Sequence, residues 1–209
     1  MTTERSASKV ARVAAGDLRA ALTGPASTRP TSGARAAVAA VFRPGPEGTE
    51  VLFIQRAAER TDPWSGQMAF PGGRCEPDDA DDAATASRET LEEVGLDLAA
   101  AEVVGRLHDV DGGRATNRPI TVGAVAYWLD GPRPELIPNY EVADTVWAPL
   151  AHLADPGRHI DYEYPARPGD VWPGVVVGNG HQVVWGLTLR LLGDLFGRLG
   201  VPFVIGPPA

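Results

Sequence analysis

The chain is short of the residues that would settle its chemistry at once. Cys75 is its only cysteine in 209 residues, which excludes an intrachain disulfide framework and a cysteine-based zinc cluster. Its acidic surroundings disfavour a thiolate, so Cys75 is not read as a nucleophile. No stretch approaches the ~18 consecutive apolar residues of a membrane span. Arg12, Asp17 and Arg19 interrupt the region where a signal peptide would be apolar. The expectation is a cytoplasmic protein with no membrane partner. Positive charge is also scarce. The formal net charge of −8 argues against a general nucleic-acid or anionic-lipid surface and leaves room only for a local basic pocket. The histidines, His108, His152, His159 and His181, show no metal-ligand spacing.

What is present fits a folded domain with a sizeable core: 44% hydrophobic and 22% charged residues. The stretch 9–22 places Val10, Val13, Ala14, Leu18, Ala21 and Leu22 at helical spacing and predicts an amphipathic helix. Residues 23–33 are turn formers and read as a linker, so the chain divides into 1–33, helix and linker, and 34–209, the domain proper. Strands are expected at 34–42 and 49–56, joined as a hairpin by "PGPEG" (44–48), and in "MAF" (68–70). Further strands are expected at 101–110, 120–129 and 141–150. Helices are expected at 81–94 and 181–199. This irregular alternation predicts an α/β layered domain around a mixed sheet.

The segment "FPGGRCEPDDADDAATASRETLEEVGL" (70–96) poses the functional question. Glu89, Glu92 and Glu93 fall at i, i+3 and i+4, within roughly 100° of arc on one helix face. Ala84, Ser87, Leu91 and Val94 are expected on the opposite, buried face. Asp81 or Asp82 can cap the helix start, and Gly95 can end it. A solvated acidic face is the plain alternative. Yet Glu89 and Glu93 repel each other at i, i+4 with no lysine nearby, and Arg88, which can reach Glu92, cannot neutralise three carboxylates. A hard divalent cation could. Gly72 and Gly73 let the backbone approach a ligand closely.

The joint pattern resembles the Nudix box: a glycine, a spacer, Arg-Glu, then Glu-Glu, then Gly and an apolar residue. "RETLEEVGL" (88–96) matches its second half, with Thr90 in an aliphatic position. Ala80 stands where the box has a glutamate, and the Gly73–Arg88 interval is one residue longer than in the general pattern. That longer, acid-rich interval is similar to the coenzyme A pyrophosphatase branch. "LFIQR" (52–56), "GQMAFPGG" (66–73) and "VVWGLTLRLL" (183–192) also resemble this branch, with Phe53 and Ile54 departing from it. The resemblance covers roughly residues 34–199 and implies an α/β/α sandwich.

It further implies attack of water on phosphorus in a nucleoside diphosphate linkage, with Mg²⁺ or Mn²⁺ as cofactor. Glu89, Glu92 and Glu93 would hold the metal, with Glu93 and Glu89 as principal ligands. One of them would accept the water's proton, and Arg88 would orient a carboxylate. A carbonyl of Gly72 or Gly73 would be a further ligand. Glu141 and Glu135 are candidates for an acid outside the box, with an exposed strand-start acid as the alternative. Arg56 and Arg60 are the first candidates to bind substrate phosphate, followed by Arg106, Arg114 and Arg118. Trp64, Tyr127 or Trp128 would stack on adenine or else pack in the core. The expected substrate is coenzyme A or an acyl derivative, giving 3′,5′-ADP and 4′-phosphopantetheine. The rivals are ADP-ribose, a nucleotide sugar or a (deoxy)nucleoside triphosphate. A rival from another class is a non-catalytic Nudix module that binds a nucleotide. The protein is expected as a monomer or homodimer.

Overall fold

The computed structural model describes residues 10, 12–23, 34–59, 64–112, 120–165, 168–178 and 180–203. Helix α1 (Ala15–Leu22) precedes strands β1 (Ala34–Gly45), β2 (Gly48–Arg56), β3 (Met68–Ala69) and β4 (Gly72–Arg74). Helix α2 (Asp82–Val94) is followed by β5 (Glu102–Asp111), β6 (Ile120–Trp128), β7 (Val142–Pro149) and the short α3 (Leu150–Leu153). Strands β8 (His159–Glu163), β9 (Val171–Val176) and β10 (Val183–Trp185) lead into the closing helix α4 (Gly186–Arg198).

The main sheet runs β3-β2-β1-β6-β5, with β4 added to β1 and β7 to β2. Strand β1 is parallel to β6 and antiparallel to β2 and β4, so the sheet is mixed. β1 alternates its side chains between two cores. Ala36, Ala40 and Phe42 join Val122, Ala124, Leu18, Leu22, Leu192 and Leu195 on the α1/α4 face. Ala37, Ala39 and Val41 join Val125, Tyr127, Ala86 and Val94 on the α2 face. Both faces are covered, which is why β6 is apolar almost throughout. The result is an α/β/α arrangement.

The hairpin forms where expected, closing on the Gly45–Gly48 pair. Three expectations need correction. The expected 9–22 helix is not continuous: Val10 is helical, residues 12–14 are not, and α1 starts at Ala15, where the Asp17 carboxylate accepts the Ala14 N–H. Residues 183–185 are strand, since β-branched Val183 and Val184 and aromatic Trp185 suit an edge beside β9, and Gly186 at φ 61° turns the chain into the helix. On α2 the buried residues are Asp82, Thr85, Ala86, Thr90, Glu93 and Val94, whereas Leu91 is exposed. The small three-stranded sheet β10-β9-β8 and helix α3 were not foreseen. The linker at 24–33 lies outside the described residues.

Candidate active site

Helix α2 is built to present its C-terminal half to the β4 strand. Asp81 caps its start by accepting the Ala84 N–H at 2.8 Å. Gly95, at φ 69°, ends it with an N–H bond to the Leu91 carbonyl. The three glutamates do not share one environment. Their side chains are 2% (Glu93), 16% (Glu89) and 55% (Glu92) exposed. Glu93 points inward, where the Gly72 N–H donates to its Oε2 at 2.8 Å and Arg56 lies 3.8 Å from its Oε1. Burial pushes the Glu93 carboxyl up to about 8, reinforced by Glu89 and Glu141 and opposed by the Gly72 N–H and Arg56. Burial likewise raises Glu89; Arg88 opposes it, and Glu92 and Glu141 add to it.

The paired glycines are explained by this helix. Gly72 sits at φ 149°, and a Cβ there would strike the Ala37 and Val38 backbone. A Cβ on Gly73 would occupy the space of the Glu89 carboxylate. The two glycines therefore let α2 close onto β4 with its carboxylates intact.

Glu141 reaches the same pocket from the start of β7. A β-bulge falls where Arg56 pairs with Val142, next to Glu141. The Glu141 carbonyl accepts the Ala57 N–H at 2.7 Å, and its own N–H donates to the Asn139 side chain at 2.8 Å. The Asn139 N–H in turn donates to the Glu93 carbonyl at 2.9 Å. One residue thus links the backbones that carry Glu93 and Glu141.

Arg88 also has a different principal partner from the one expected. It bonds Asp79 at 3.0 and 3.1 Å and Glu89 at 3.1 Å, and reaches Glu92 only at 3.4 Å. Asp79 also accepts from Thr85 and from the Glu76 N–H, and lies well below the usual carboxylate range, chiefly because of Arg88. The members of the acidic run therefore do different things. Asp79 holds Arg88, Asp81 caps α2, and Asp82 pairs with Arg35 and Arg106.

The pocket, about 520 Å³, brings together Arg56, Trp64, Gly72, Gly73, Arg74, Glu89, Glu93 and Glu141. It does not gather every candidate. Glu92 faces solvent, and Glu135 is exposed on the loop before β7. Arg106 is committed to Asp82 and Asp109, because β5 aims it at the start of α2. Tyr127 donates to the Ala83 carbonyl and Trp128 to Asp130, so both pack in the core rather than offering a face to adenine. No histidine lines the pocket among the described residues. Arg60, Arg114 and Arg118 lie outside the described residues. Arg74, Asp79 and Asn139 were missed; Asp79, nine residues before Arg88, carried a legible signal only as part of an acidic run.

Among the described residues no three carboxylate, imidazole or thiol groups close on a single point. Glu89, Glu93 and Glu141 instead face an open pocket, each of the first two raised in pKa by its acidic neighbours as well as by burial. That donor set fits a hard divalent ion, which takes a few carboxylates and completes its shell with water and phosphate oxygens.

Residues 33–167 match the NUDIX domain family model. The chain belongs to the Nudix family. It is 36% identical over 152 residues to the human mitochondrial coenzyme A diphosphatase NUDT8, covering 66% of this chain and 58% of that protein. The mouse protein of the same name is 34% identical over 149 residues, covering 66% and 65%. The chain thus spans less than two thirds of these two relatives. The Nudix hydrolase NudL of Salmonella paratyphi B, itself uncharacterized, is 33% identical over 163 residues, covering 77% and 79%. A MutT/nudix family protein from Enterococcus faecalis superposes with a TM-score of 0.55 at 17% identity, over 82% of this chain and 64% of that one, and shares the fold. Among the described residues of this Nudix protein no helix is long and apolar enough to cross a membrane.

Proposed function

We propose that the protein is a divalent-cation-dependent Nudix hydrolase that cleaves the diphosphate of coenzyme A or an acyl derivative, releasing 3′,5′-ADP and the (acyl-)4′-phosphopantetheine. The observation that carries the reaction is the convergence of Glu89, Glu93 and Glu141 on one pocket beside the Gly72–Gly73 backbone. The likeness to the two diphosphatases supports the substrate.

Glu93 and Glu89 would be the principal ligands of Mg²⁺ or Mn²⁺, with Glu141 across the pocket. Bound there, such an ion offsets the charge of the diphosphate and lowers the pKa of a coordinated water. The protein's own part is positioning. The Gly72 N–H fixes Glu93 Oε2, Arg88 fixes Glu89, and Asn139 sets Glu141 against Glu93. Arg56 and Arg74 supply positive charge to a phosphate-bearing ligand. Glu92, exposed and held by Arg88, is a peripheral carboxylate in this scheme.

The test is product analysis by mass after incubation with Mg²⁺ or Mn²⁺ and a panel of coenzyme A, dephospho-coenzyme A, ADP-ribose, a nucleotide sugar and dGTP. Preferential conversion of coenzyme A to 3′,5′-ADP is expected. Preference for another diphosphate would discard the substrate and keep the chemistry. No turnover of any diphosphate would favour a nucleotide-binding module.

A further inference from the structure

The pocket is not uniformly polar, and its asymmetry orients the substrate. Among the described residues every ionisable group lining it lies on one side: Glu89, Glu93 and Arg74 around β4 and α2, with Arg56 and Glu141 at the β2–β7 bulge. The opposite side is a pouch walled by Val38 of β1, Ile120 and Val122 of β6, and Leu187 and Leu191 of α4. Sheet order separates the two halves. Arg74 pairs with Ala36, which pairs with Val122 on the next strand. Two inter-strand spacings of ~4.8 Å put the β6 wall about 10 Å from the Gly72–Arg74 strand. Gly112 packs against two of these wall residues, since a Cβ there would meet Ile120 at 2.8 Å and Leu187 at 3.2 Å.

We propose that this pouch binds the uncharged arm of the substrate, an extended amide- and thiol- or thioester-bearing chain, while the nucleoside half stays on the charged side and toward the mouth. The inference rests on the coenzyme A reading above. It follows from what each half would have to give up. The nucleoside half of coenzyme A carries a phosphate on its ribose, and the described residues of the pouch wall offer that charge no partner, so burial against them would leave it unpaired. Its base would also bring several donors and acceptors against aliphatic walls, where Thr188 is the one polar neighbour on α4. A flexible, mostly aliphatic chain loses little by the same transfer and gains from the apolar area covered. Both lining guanidiniums, Arg56 and Arg74, stand on the side where phosphates are needed. Leu187, partly exposed at the start of α4, lines the pouch, so its size sets the room available to the arm.

Calorimetric titration of the two halves separately tests this, with 4′-phosphopantetheine and adenosine 3′,5′-bisphosphate as probes in the presence of Mg²⁺. Leu187→Trp, which fills the pouch, is expected to weaken 4′-phosphopantetheine binding at least ~10-fold, and to leave the bisphosphate within about twofold. Leu187→Ala, which enlarges it without crowding the fold, is expected to raise kcat/KM for long acyl derivatives relative to coenzyme A itself. Loss of bisphosphate binding in Leu187→Trp, or equal loss of both halves with the thermal transition unchanged, overturns the orientation. So does an unchanged acyl preference in Leu187→Ala. If the wild-type protein cleaves coenzyme A and these outcomes fail, the orientation alone is wrong. If it cleaves no diphosphate and binds neither half, the coenzyme A reading and the orientation fall together.

Discussion

Glu93 is the residue on which the site turns. Its carboxyl is buried beside two other acids and pushed up to about 8, so the metal-free fold carries it at a cost that a bound cation would relieve. Glu93→Gln keeps an oxygen for the Gly72 N–H and removes the group whose ionisation burial opposes. Turnover should fall by roughly 10²–10⁴-fold, while the melting temperature without metal should hold or rise. A variant that melts earlier and keeps its activity would reverse that assignment. The glycines separate into two tests at the same scale. Gly72→Ala forces a side chain onto the β1 backbone at an unfavourable φ, and should cost about 1–3 kcal/mol in denaturant unfolding. Gly73→Ala intrudes on the Glu89 carboxylate instead, so Mn²⁺ affinity measured by electron paramagnetic resonance should drop more than stability does.

Among the elements, the loop before β7 and helix α2 act together. The Asn139 side chain accepts from the Glu141 N–H, while its backbone N–H, which alanine keeps, donates to the Glu93 carbonyl. Asn139→Ala therefore frees Glu141 alone, and should weaken Mn²⁺ binding and lower kcat by about 10-fold, in the range of misplaced catalytic groups, with little change in melting. Asn139→Asp, which keeps the accepting oxygen, should recover part of the loss. The sequence pattern made several of these elements legible. Helix α2, its Asp81 cap and its Gly95 stop follow from local chemistry, and so does the Gly45–Gly48 hairpin. Glu141 was also readable as an acid at a strand start. The inward turn of Glu93 was not, because helical spacing gives the angle between side chains and not which part of the arc meets the sheet. Leu91 on the exposed side shows the cost: α2 rotates its glutamates partly into the pocket, and an apolar residue is left outside. Asn139 and Asp79 were illegible for a related reason. Their role lies in bonds across separate elements that no periodicity encodes. The strands β8, β9 and β10 depend on pairing with one another rather than on a buried alternation, and most of β8 and the start of β9 are exposed.

At the scale of the whole molecule, one ionic cluster ties the site-bearing helix to the sheet. Asp82, at the start of α2, pairs with Arg35 of β1 and Arg106 of β5, and both arginines also approach Asp109. Gly123 leaves the room, since a Cβ there would strike Asp82 and crowd both guanidiniums. Burial alone would raise the Asp82 carboxyl, but the Arg35 hydrogen bond and the two positive charges outweigh it, and the group sits below its ordinary 3.8. A depressed carboxylate stabilises the fold above its unfolded pKa, and that contribution is lost as pH falls through the folded value. Asp82→Asn should therefore destabilise the protein at pH 7 by about 1–3 kcal/mol, and its gap to wild type should narrow below about pH 4. A gap that stays constant with pH would mean the cluster acts by packing alone. Centrally, we propose that the carboxylates of one pocket bind a cation for diphosphate cleavage. The most direct test follows coenzyme A turnover after chelation and then through a Mg²⁺ titration, for wild type and Glu93→Gln side by side. No turnover is expected in chelator, with saturable recovery on Mg²⁺ addition in wild type and almost none in Glu93→Gln. Turnover that persists in chelator, or a Glu93→Gln variant that recovers like wild type, would contradict the metal-site reading.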